Sequence, residues 1–83
     1  MTIQKQVILR YRGEGHVRFQ IPEPMCRDRA AQVLVAELSA LEGVDDVKLF
    51  GKQRKLAIRF SEYVIDFQAL AIGLSGKIGR AHV

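Results

Sequence analysis

The 83 residues are enough for one domain, and a chain of that size buries only about 60–65% of its unfolded surface, which leaves little room for a large catalytic cleft. With 48% apolar and 27% charged residues the composition is that of an ordinary globular chain, and a net charge of +4 invites an anionic partner without naming one. No apolar run approaches the roughly 18 residues of a membrane span, and Cys26 has no second cysteine in the chain to pair with, so a cytoplasmic location is the expectation.

Residues 3–12 read as a strand. Ile3, Val7, Leu9 and Tyr11 share one parity, which only Lys5 breaks, while Ile8, Arg10 and Arg12 fall on the other. Gly13-Glu14-Gly15 interrupts, and His16–Ile21 then resumes with Val17, Phe19 and Ile21 facing one way and Arg18 and Gln20 the other. The apolar parity carries through the glycines, which suits one long bent strand; a hairpin turning at the glycines is the competing arrangement. In both, His16–Ile21 is the first strand of the main sheet.

Pro22-Glu23-Pro24 ends that strand, because two prolines remove ladder donors. A helix follows from Asp28 or Cys26, with Ala30, Ala31, Leu34, Leu38 and Leu41 as its apolar stripe and Gly43 as its left-handed cap. Val47–Phe50 and Leu56–Phe60 read as two strands joined by Gly51-Lys52-Gln53-Arg54. Val47, Leu49, Leu56, Ile58 and Phe60 face the helix, and Lys48, Phe50, Lys55, Ala57 and Arg59 face away. A second helix runs from Asp66, its N-cap, to Leu74, with Phe67, Leu70, Ala71 and Leu74 on one face. Gly76-Lys77-Ile78-Gly79 stops it, and Ile78–Val83 is a weak last strand or a tail. The economical solution is an α+β, ferredoxin-like βαββαβ sandwich: two helices on one face of an antiparallel sheet, with residues 1–14 as an N-terminal extension and the other sheet face open.

Within that frame, residues 15–79 resemble a heavy-metal-associated domain, the small module of copper chaperones and metal-pumping ATPases. That family opens its first helix with Gly-Met-x-Cys-x-x-Cys and ends it with Gly-Val 13 residues past the second cysteine. Met25, Leu34, Leu38, Leu41 and Gly43-Val44 match the pattern. Counting back from Gly43, however, Arg27 and Ala30 stand where the two cysteines belong. A guanidinium has no lone pair for a cation and alanine offers no ligand. The strand Gly15–Pro22 resembles the divergent branch of the family, in which the cysteine pair is missing. The resemblance implies a link to metal transport or homeostasis and a role through protein contacts rather than catalysis.

Three chemistries remain to be tested. Cys26 with Met25 and His16 could offer soft ligands to Cu(I) or a similar metal, against the plainer reading of Cys26 as a small core residue; His82 has no metal spacing to any of them. Gly13-Glu14-Gly15-His16-Val17-Arg18-Phe19 faintly echoes the phosphate loop of acylphosphatases. There, Glu14 would repel the anion, and Gln20 replaces an expected arginine, so no enzyme is expected. The open face, with Arg18, Gln20, Lys48, Phe50, Lys55, Ala57 and Arg59, suits a protein partner or a homodimer, and its cations also suit nucleic acid, for which one ring at Phe50 is few.

Overall fold

A computed structural model of the chain describes residues 7–80. Ile3, Lys5 and His82 lie outside the described residues. The elements are β1 (Ile8–Gly13), β2 (His16–Gln20), α1 (Asp28–Ser39), β3 (Val44–Phe50), β4 (Lys55–Phe60) and α2 (Phe67–Arg80). The four strands form one antiparallel sheet in the order β1-β2-β4-β3.

The glycine interruption is a hairpin. Gly13 pairs with His16, and Glu14-Gly15 make a two-residue turn. Gly15 is required there, for its φ is +68° and a Cβ would lie 2.8 Å from the Phe60 carbonyl oxygen. The same glycine ties the turn to β4: Phe60 N–H donates to Gly15 O at 3.0 Å, while Gly15 N–H donates to the Glu62 carboxylate at 2.6 Å.

This register corrects the parity expected for β1. With a two-residue turn, Arg12 stands opposite Val17 and Tyr11 opposite Arg18, so Tyr11 lies on the open face and not with Leu9. The register then shifts between Leu9 and Tyr11, leaving Arg10 as the extra residue of a β-bulge. The bulge resets the alternation, so that Leu9 stands opposite Phe19 on the helix side.

Beyond β2, Ile21 N–H donates to Arg54 O at 3.0 Å, and Pro22 starts a 3-10 turn over Glu23–Cys26. Helix α1 begins at Asp28, buries Leu34 and Leu38, and gives way to Gly43 at φ +96°. Strand β3 starts at Val44, three residues before the expected Val47, with an irregularity between Val44 and Asp46 that leaves Asp45 over. Gly51–Gln53 form a 3-10 turn that hands over to β4 through Arg54 in the left-handed region, φ 53° and ψ 38°. Asp66 does cap α2, its Oδ1 accepting from Ala69 N–H at 2.7 Å.

Helix α2 does not stop at Gly76. It continues to Arg80, so residues 78–80 are helical and the expected last strand is absent over them; 81–83 lie outside the described residues. Without a proline, the three glycine or β-branched interruptions at Gly76, Ile78 and Gly79 are only a propensity cost of about 1 kcal/mol or less each, and helical continuation outlasts them. The edge of β2 that such a strand could have used is held by β1.

One apolar cluster joins both helices to one sheet face. Val17, Phe19, Ile21, Leu34, Leu38, Leu56, Ile58, Phe60, Leu70 and Leu74 are its buried members, together with Met25 and Cys26. The Phe67 ring of α2 stacks on Phe19 with centroids 6.4 Å apart, and the Arg12 guanidinium covers Phe67 at 4.1 Å. At about 1.5–3 kcal/mol per buried large side chain, this layer is the main stabilising contribution. Among the described residues no helix packs against the opposite sheet face.

Candidate interaction surface

Strand alternation and register lay the open face out in three rows across the sheet. Tyr11, Arg18, Ala57 and Lys48 form the middle row; His16, Arg59 and Asp46 lie on the turn side; Ile8, Gln20, Lys55 and Phe50 lie on the other. Most of these residues line one shallow depression of about 220 Å³. Every open-face residue expected on β2, β3 and β4 is on this face; Tyr11, His16 and Asp46 are additions.

Four cations share the surface with one carboxylate, Asp46. Among the described residues none of Arg18, Lys48, Lys55 and Arg59 makes an ion pair within 4.0 Å; the one salt bridge there joins Arg27 to Glu23 at 3.4 Å in the turn before α1. Arg18 Nε is shielded from solvent and has no acceptor among the described residues. A shielded, charged donor without an acceptor is costly.

Cations and rings are interleaved. The Arg18 guanidinium lies over the Tyr11 ring at 4.6 Å, Lys55 Nζ over Phe50 at 4.9 Å, and His16 meets Tyr11 edge-on at 5.5 Å. Gly13 makes room for this, because a Cβ there would collide with the Tyr11 phenol. Arg10, at the bulge, donates from Nε to Gln20 Oε1 at 2.9 Å and again from Nη2. Burial, followed by the charges of Arg59 and Arg18, holds the His16 imidazole below its usual value.

The soft-metal set does not come together. Cys26 and Met25 are buried in the turn after β2, and the Cys26 thiol points inward, 3.4 Å from the Pro22 carbonyl oxygen. His16 stands at the opposite end of β2 and on the opposite face, separated by about 16 Å of strand at 3.3 Å per residue. Burial pushes the Cys26 thiol up; Arg54 partly opposes this and Glu23 adds to it, so the thiolate a soft metal needs is disfavoured. Among the described residues no group of three His, Cys, Asp or Glu side chains could hold a metal ion. Arg27, at one expected cysteine position, is exposed and paired with Glu23.

A larger depression of about 670 Å³ opens beside α2, walled by Arg12, Glu62, Asp66, Phe67 and Ile72. Its one cation is already stacked on Phe67 and its carboxylates are engaged in the turn and cap described above. No described helix is long and apolar enough to cross a membrane.

Neither a family model, nor a curated protein, nor a solved structure matches the chain.

Proposed function

We propose that this chain is a non-catalytic interaction module that binds an anionic partner through the open face of its sheet. The observation that carries the reading is the set of four cations facing one carboxylate, Asp46, with no ion pair within 4.0 Å among the described residues, gathered on the sheet face that the described helices leave uncovered. A solvated face needs no such concentration of one sign, and unpaired cations steer an acidic partner toward it.

Two helices over one face of a four-stranded antiparallel sheet support a ferredoxin-like architecture, in which β1 takes the flank of β2 that a strand after α2 would otherwise fill. The resemblance to heavy-metal-associated domains without the cysteine pair adds a link to metal transport, with the module working through contacts and not by carrying the ion. An inward-turned free thiol agrees with a cytoplasmic setting. A homodimer through Phe50 is less favoured, because a two-fold contact on this face sets like charges against their copies.

Position-matched charge removal tests the reading. Arg18→Gln with Arg59→Gln and Arg27→Gln with Arg29→Gln remove the same charge from the open face and from the α1 side. The salt needed to elute each from an immobilised polyanion should fall clearly for the first pair and little for the second. Equal falls would mean that net charge alone is being read.

A further inference from the structure

We propose that the anion this face takes is single-stranded nucleic acid, its phosphates on the cations and a base on Tyr11. The proposal rests on the reading of the open face as an anion-binding surface and adds the class of ligand. An acidic protein segment would be held by Arg18, Lys48, Lys55 and Arg59 alone and would leave the rings without a use. Tyr11 and Phe50 keep 43% and 42% of their surface exposed in the midst of those cations. Exposed rings among unpaired cations are what splayed-out bases and their phosphates require together.

The middle row carries the argument furthest. Tyr11, Arg18, Ala57 and Lys48 follow one another across the sheet, so a stacking ring, a guanidinium plane, a small residue and an ammonium succeed each other at the strand spacing of about 4.8 Å. Ala57, the one small side chain in the row, keeps the middle of the face low. The Arg18 plane already lies along the Tyr11 ring, and both surfaces accept a base. The hairpin register puts Tyr11 there, and Gly13 leaves the space for its phenol. A duplex keeps its bases stacked inside and cannot offer them to a flat face, so the ligand is single-stranded.

The test uses the chain's own fluorescence. It has two tyrosines and no tryptophan, so in a Tyr63→Phe background Tyr11 is the one emitter of its kind. Short oligothymidylate should quench Tyr11, and should bind more tightly than an abasic oligonucleotide of equal length, by on the order of 5- to 150-fold for one stacked base. Tyr11→Phe should keep that preference and Tyr11→Leu should lose it, with circular dichroism confirming that both fold. Equal binding of the abasic strand, or an unquenched Tyr11 at saturation, overturns the proposal. Tighter binding of poly-glutamate at the same salt also overturns it and assigns an acidic protein, leaving the anion-binding reading intact. Binding of neither polyanion at low salt removes both.

Discussion

Lys48→Gln is the sharpest test of how many charges the open face contributes. Lys48 is exposed on β3, makes no ion pair among the described residues and covers no ring, so its loss changes charge with little change in packing. The four cations set an upper bound of four effective contacts, and the Asp46 carboxylate, if it cancels one of them, a lower bound of three. At a slope of roughly −0.7 per phosphate contact on a single strand, log affinity should fall with log salt at about −2 to −3. Between about 50 and 200 mM salt that is a loss of roughly 20- to 60-fold. Removing Lys48 should flatten the slope by about 0.7, making the variant roughly 2.6-fold less sensitive over the same range. Fluorescence anisotropy of a labelled oligothymidylate, read at four or five salt concentrations, gives both slopes. An unchanged slope in Lys48→Gln, or an equal change in Arg29→Gln on α1, would refute the reasoning.

Three further outcomes are expected. Burial, followed by the charges of Arg59 and Arg18, disfavours protonating His16, so stability from this group is full above the ordinary value of 6.5 and lost as pH falls below it. A bound anion offsets those charges, so affinity should rise as pH drops below 6.5 in the wild type and stay flat in His16→Gln, read by anisotropy at matched salt. Arg54 sits at φ 53°, where an L side chain costs about 1–2 kcal/mol; allowing for the extra freedom glycine gains in the unfolded chain, Arg54→Gly should add about 0.5–1 kcal/mol and raise Tm by ~3–6 °C in a calorimetric scan. The Cys26 thiol, buried and pushed up, should react with an aromatic disulfide reagent far more slowly in the folded chain than in denaturant, and a Cu(I) competition titration should give the same curve for wild type and Cys26→Ser.

Much of the fold is legible in the residues because each helix and two of the strands bury one clean stripe. Val17 and Phe19, Leu56 and Ile58, Leu34 and Leu38, and Leu70 and Leu74 each declare a buried face by spacing alone, and all lie in the core. The misreading of β1 has one cause, that parity is local and register is not. Tyr11 alternates with Leu9 and Val7 as if they shared a face, and a single bulged residue at Arg10 separates them. The turn held the signal: once Glu14-Gly15 is taken as a two-residue loop, counting back from Gly13↔His16 sets Tyr11 opposite Arg18. The glycines at the end of α2 are a weaker stop than they look, since a local propensity cost does not end a helix with Leu70 and Leu74 anchored in the core. The open-face cations are legible one by one from alternation; Asp46, which offsets one of them, is hidden by the irregularity at Asp45.

The uncovered sheet face, and not the helical side, is where the partner should meet this chain. An amide-resolved NMR titration with a short single-stranded oligonucleotide at low salt tests this placement most directly. Shift changes should concentrate at Tyr11, Arg18, Lys48, Ala57 and Arg59, with α1 and the turn holding Cys26 unmoved. Changes centred on α1, or on the Glu23–Cys26 turn, would contradict it.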